Sequence, residues 1–226
     1  MVLSYLEITQ ITCDHVLINN HLSALKTYLN TKNHSRDIQW QYKIPELGED
    51  GSCSLFGHLQ DEPFDLKNVL LTEHQDIDIN LVNSMQMLNQ IVDYIVNTSQ
   101  VDWFGIYQNR DTNNEQGLVK LAYHGAPSRP IFPLTSDFSL ISNNVQVALS
   151  KKGRVINDIQ AYQANGGEYY ICDPKVKSEV CLPILTASGA MLGIIDAEAF
   201  KTDFFDENTL ALLIAGCLLI PNYLPA

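Results

Sequence analysis

The chain has 226 residues, 46% hydrophobic and 18% charged, which is enough apolar matter for a buried core and is not the composition of a disordered chain. Lys and Arg number 14 against 26 Asp and Glu, so the formal net charge is −12, which opposes phosphate backbones and anionic lipid. No nucleic-acid or membrane partner is expected, because the densest basic cluster is only Lys151, Lys152 and Arg154.

The N-terminus MVLSYLEITQ lacks the basic start and long apolar run of a signal peptide, and the most apolar stretch, Leu210 to Ile220, is too short to span a bilayer. Cys13, Cys53, Cys172, Cys181 and Cys217 form no CxxC, and the histidines add no metal spacing. Free thiols, a cytoplasmic location, and neither metal nor cofactor are the expectation.

Ile18, Leu22, Leu25 and Leu29 follow helical spacing and predict a helix from about Asp14 to Leu29. Ile38, Trp40, Tyr42 and Ile44 alternate with polar residues and predict a half-buried strand. After the turn residues Gly48 to Gly51, Ser52 to Leu59 is expected to return as a second strand. A polar stretch near Glu73 to Asp78 suggests a boundary, with an N-terminal α/β extension over 1–75 and a main domain over 76–226. So few elements are expected to pack on the rest rather than fold alone.

In the main domain, Ile77, Leu81, Leu88, Val92 and Ile95 share a face and predict a helix from about Ile79 to Asn97. Strands are expected at about Asp102 to Tyr107 and Leu118 to His124, with QNRDTNNEQG between them as a turn. A short helix over Ser142 to Ser150 and a loop over Asn157 to Ile171 follow. Two more strands, Ser178 to Leu185 and Met191 to Ala197, flank a turn at Ala187 to Gly189. Asp206 is placed to cap a last helix that ends by Leu219. Hairpin-linked strands with helices at both ends give an α+β class with an antiparallel sheet. The last helix is apolar nearly all round, so it is either covered within the chain or shared with a second copy in a homodimer.

Asp196 and Glu198 lie two apart in a strand, so their side chains leave one sheet face. A hairpin centred at Ala187 to Gly189 brings Glu179 roughly opposite them. Two like charges on one face need water or a cationic ligand. Three carboxylates beside a thiol and two aromatics, Trp103 and Tyr107, describe a pocket for a small cation with an apolar tail, such as a free amino acid.

Four strings carry a resemblance: Asp102-Trp-Phe-Gly-Ile-Tyr107, Tyr170-Ile-Cys-Asp173, Ser178-Glu-Val-Cys-Leu-Pro183 and Gly193-Ile-Ile-Asp-Ala-Glu198. In order and spacing, the segment from about Asp76 to Leu224 resembles a GAF domain and, more narrowly, the free methionine-R-sulfoxide reductases. The resemblance implies that Cys172 is the nucleophile, attacking the sulfoxide sulfur and becoming a sulfenic acid. It implies that Glu179, Asp196 and Glu198 hold the substrate ammonium and assist proton delivery to the departing oxygen. It places Trp103 and Tyr107 around the substrate methyl and gives the substrate carboxylate to backbone N–H groups near Tyr170 and Ile171.

The chain also departs from that family. The positions of that family's two upstream cysteines correspond here to Arg129 and Ser139, so the usual resolving thiol is missing. Three outcomes stay open: an external thiol reduces Cys172, Cys181 resolves it, or the site binds a ligand without turnover. As an enzyme the chain is a divergent reductase. The alternative is a non-catalytic GAF module that senses a small molecule or redox state and acts through a partner.

Overall fold

The computed structural model describes residues 1–31, 37–48, 54–71, 76–112, 115–169 and 173–226. Helices α1 (Val2–Thr9) and α2 (His15–Thr31) precede short strands β1 (Gln41–Tyr42), β2 (Pro45–Leu47), β3 (Ser54–Leu59) and β4 (Phe64–Asp65), then a single turn, α3 (Lys67–Leu70). The long helix α4 (Ile79–Ser99) leads into β5 (Trp103–Thr112), β6 (Glu115–His124) and β7 (Ile131–Pro133). Helices α5 (Ser136–Ser139) and α6 (Asn143–Ser150), strand β8 (Arg154–Ile156) and helix α7 (Ile159–Ala164) follow. Strands β9 (Ser178–Leu185) and β10 (Met191–Ala199) and helix α8 (Glu207–Leu219) complete the chain's main elements.

The six strands β7-β6-β5-β10-β9-β8 form one antiparallel sheet. This is the expected α+β class. Alternation along each strand divides the side chains between two faces. Phe104 and Ile106, Val180 and Leu182, and Ile195 and Ala197 enter a core with α4 and α8. Trp103 and Tyr107, Cys181, and Ile194 point to the opposite face. That face carries the site, roofed by α6 and the loops around it.

Capping explains where the helices begin. The Asp78 side chain accepts from Leu81 N at 2.7 Å, Ser142 from Val145 N at 3.4 Å, and Asp206 from Thr209 N at 2.8 Å. Gln100 and Lys151, at φ 60° and 59°, end α4 and α6 in the left-handed conformation.

Several expectations are corrected. QNRDTNNEQG is mostly strand, because β5 and β6 run on to pair Thr112 with Glu115. Its polar residues sit near the tip of a long hairpin, where solvent reaches the ladder. The loop expected over Asn157 to Ile171 contains α7, capped by the Asp158 side chain on Ala161 N at 2.9 Å. Strand character in the extension is broken into β1 and β2, with β2 pairing to β3 and β1 to β4. Helix α1 was not anticipated.

Helix α8 is buried on every face from Leu210 to Leu219. The cover comes from within the chain, with the sheet and α4 on one side and α2 on the other. Its apolar surround therefore leaves no bare face for a second copy, and this argument for a homodimer falls away. Among the described residues no helix is long and apolar enough to cross a membrane.

The extension shares this core. Ile18, Leu22, Leu25 and Leu29 of α2 are buried in the same cluster as α4 and α8. Tyr5 donates to Pro183 O at 2.8 Å and Tyr42 to Lys120 O at 2.9 Å, so the segment is tied to the sheet at two separate points. Leu25→Ala is expected to lower the stability of the whole chain by about 2–5 kcal/mol in one cooperative urea transition, because the cavity opens in a common core. A separate early transition that leaves the sheet's unfolding unchanged would contradict this.

Candidate functional site

The site begins with a register. Glu198 pairs with Glu179 and Asp196 with Cys181 across β9 and β10, while Glu198 pairs with Trp103 across β10 and β5. Cross-strand partners share a face, so Glu179, Asp196 and Glu198 converge. Carboxylate oxygens, one from each, lie within 4.8 Å of one another. Glu179 and Asp196 are buried, and Glu198 is partly exposed.

Helix α6 and the segment before β9 supply the donors that make this burial tolerable. Asn143 Nδ2 donates to Glu179 Oε1 at 3.0 Å, and Tyr169 OH donates to Glu179 Oε2. Asn144 Nδ2 donates to Asp196 Oδ2 at 2.9 Å. Arg154, on the edge strand β8, holds Asn143 by donating to its Oδ1. Two buried acceptors, Asp196 Oδ1 and Asn144 Oδ1, have no hydrogen-bond partner among the described residues. Buried acceptors without donors cost about 1–3 kcal/mol each, so their natural complement is a ligand that donates.

The electrostatics follow from burial and crowding. Loss of solvent, more than any neighbour, raises Glu179, and the Tyr169 and Asn143 hydrogen bonds oppose it. Asp196 is pushed well up by burial and then by Glu179, against the pull of Asn144. Glu198 is pushed well up by burial, Asp196, Glu179 and Asp173, with Lys120 pulling the other way. Three such groups behave as one coupled proton-holding unit that resists full ionisation. Their spacing would also suit a metal ion, but both Glu179 oxygens already accept from side chains, so the set fits a hydrogen-bonding cation better.

A cavity of about 340 Å³ opens over this unit, within the range of small-ligand pockets. The carboxyls and Asn144 form one end, and Trp103, Tyr107, Phe132 and Phe138 form an aromatic wall. Gly105 makes the wall possible: a Cβ there would stand 2.4 Å from the Trp103 ring, which leans along the strand towards Tyr107. The polar tips of both aromatics fix the adjoining loop, Trp103 Nε1 donating to Ala126 O at 3.0 Å and Tyr107 OH to Arg129 O at 3.3 Å. Pro45, Leu55 and Leu59 from the extension add an apolar wall.

The structure thus brings Trp103, Tyr107, Glu179, Asp196 and Glu198 to one cavity. Cys181 is placed beneath it: the thiol is buried among Trp103, Tyr107, Val147 and Ile194, does not line the cavity, and is pushed up by burial and by Asp196. Tyr170, Ile171 and Cys172 lie outside the described residues, as does Cys53. Their described neighbours Tyr169 and Asp173 both line the cavity. Asn143, Asn144, Tyr169 and the extension's wall were not anticipated. The one available signal was the Asn pair directly after Ser142, where a capped helix must start.

Among curated proteins none matches the sequence. Solved structures similar in fold include a type II free methionine-R-sulfoxide reductase from Thermoplasma acidophilum, 19% identical with a TM-score of 0.50, covering 62% of this chain and 94% of that one. The GAF domain of a phosphoenolpyruvate-protein phosphotransferase from Acinetobacter is 10% identical with a TM-score of 0.55, covering 92% of each chain. A further GAF-domain structure is 14% identical with a TM-score of 0.54, covering 97% of this chain and 95% of that one. The GAF domain family matches residues 85–220, spanning α4, the six-stranded sheet and α8. The chain therefore belongs to the GAF domain family.

Proposed function

We propose that the cavity binds a small ammonium-bearing ligand with an apolar tail, and that Cys172 reduces such a ligand when it carries a sulfoxide. The observation that carries the reading is the pair of buried, donor-less acceptors, Asp196 Oδ1 and Asn144 Oδ1, on residues that line a cavity with a large aromatic and aliphatic surface, which Arg129 and Lys175 also border. An ammonium group brings three N–H donors and the positive charge that crowded carboxyls favour. A free amino acid of methionine's shape offers both ends.

In the catalytic step the Cys172 sulfur attacks the sulfoxide sulfur and takes its oxygen. The thiol becomes a sulfenic acid, oxidised by two electrons, and the sulfoxide becomes a thioether. A carboxyl whose proton affinity is raised by burial and crowding is suited to hydrogen-bond the departing oxygen. Two equivalents of an external thiol then return the sulfenic acid to the thiol, releasing water and a disulfide. The external route is favoured because Cys181 is packed beneath the cavity and held neutral.

A second reading, a ligand-sensing module without turnover, draws on a different observation. Pro45, Leu55 and Leu59 precede the family segment yet wall the cavity, so an occupant would touch the extension directly. The output would then pass through a partner.

Free methionine-R-sulfoxide with dithiothreitol separates the two. Turnover is expected in the wild type and loss to background in Cys172→Ser. Methionine binding without turnover supports the sensor, and neither binding nor turnover contradicts both.

Asp196→Asn should weaken methionine binding roughly 10–100-fold, the worth of a lost charged hydrogen bond. The same variant should be more stable than the wild type, increasingly so as pH rises. A carboxyl raised in the folded state carries no penalty below its ordinary value of 3.8 and a growing one above it, until its folded value is passed. Melting curves across pH 5 to 8 check this, and a difference that shrinks with rising pH would refute it.

A further inference from the structure

Lys120 is a fully buried cation that the proposed chemistry does not use. It sits mid-strand on β6 opposite Tyr107, on the site face, and none of its surface reaches solvent. Lysine is almost never buried to this degree without dedicated partners. Here they are explicit. Its ammonium donates to Ser128 O at 2.8 Å and Ser128 Oγ at 2.6 Å. The same nitrogen lies 4.1 Å from the ring centroid of Tyr123, 4.9 Å from Tyr42 and 6.0 Å from Trp103. Such an aromatic enclosure suits a cation held away from water.

Two features link this cage to the pocket. The segment Ala126 to Arg129 lines the cavity, and Lys120 holds its middle residue. Trp103 and Tyr107 fasten Ala126 and Arg129 on either side, so three sheet side chains pin one wall. The Trp103 ring beside the ammonium belongs to the residue that pairs with Glu198. The charged groups acting on Glu198 are Asp196 and Glu179 on its own sheet, Asp173 ahead of β9, and Lys120 on β6. The first three are like-charged, and the opposing field comes from Lys120.

We propose that Lys120 is a positioning residue of the acidic pocket: it latches the 126–129 wall through Ser128 and sets a positive charge on the sheet face that Glu198 shares. Its use to a ligand rests on the reading of this pocket as an ammonium site, but the coupling itself is present in the empty protein. Burial depresses the ammonium's proton affinity, and Glu198 restores part of it. Each group therefore favours the charged form of the other, against the burial that opposes both.

NMR titration of the full-length protein tests this without any ligand. In Lys120→Met the Glu198 side-chain carboxyl carbon should titrate about one pH unit higher than in the wild type. In Glu198→Gln the Lys120 Nζ titration should fall by a comparable amount, because coupling between two sites is reciprocal. The second arm decides alone if Lys120→Met does not fold. Amide exchange at 126, 128 and 129 should quicken in Lys120→Met while the α4 amides stay protected. Unmoved midpoints overturn the counter-cation role, and unchanged exchange at those amides overturns the latch. Failure of wild-type protein to bind methionine would defeat the proposed ligand and leave these shifts standing.

Discussion

Everything at the site depends on the antiparallel pairing of β9 with β10, which sets Glu179 beside Glu198 on a face that α6 and its neighbouring loops then cover. Three carboxyls brought together, two of them buried, repel, and the buried ones would be costly if ionised alone. The fold meets that cost with neutral donors: Asn143 and Tyr169 on Glu179 and Asn144 on Asp196. Two cations stand a step back, Arg154 behind Asn143 and Lys120 behind the Trp103 ring, while Arg129 and Lys175 line the cavity itself. The result is a unit that keeps protons where isolated carboxyls would lose them, with two acceptors left over.

The other face of the sheet explains why this arrangement is rigid. Helices α4 and α8 pack beneath it, and α2 covers α8 from outside. The extension belongs to that packing and also reaches over the top, where its β2–β3 hairpin walls the cavity and Tyr42 rests on Lys120. A segment that precedes the GAF match thus contributes to both the core beneath the sheet and the pocket above it. An occupant of the proposed site would touch the extension, which is the physical basis for either a specificity wall or a sensing output.

Much of this is legible in the amino-acid order, for definite reasons. Two strand-like runs, SEVCLPIL and MLGIIDAEA, on either side of Gly189 at φ 82°, are enough to bring Glu179 near Asp196 and Glu198. The long helix α4 declares itself through spacing, and α8 through an unbroken apolar run that Asp206 caps. Short helix α7 escapes because six residues hold too little periodicity to outweigh a Gly- and Asn-rich surround. The donors escape for another reason. Nothing local marks Asn144 as Asp196's partner, since they stand 52 residues apart and meet only after α6 docks on the sheet. Lys120 breaks the alternation of an otherwise apolar strand, yet its cage is assembled from three separate elements.

The central claim is that burial and crowding raise the proton affinity of the pocket's carboxyls and that an arriving ammonium lowers it again. Calorimetric binding of methionine at pH 7, repeated in two buffers of different ionisation enthalpy, measures this directly. The account predicts net proton release, seen as a binding heat that changes with the buffer, and its loss in Asp196→Asn. Binding with a buffer-independent heat, or proton uptake, would contradict it.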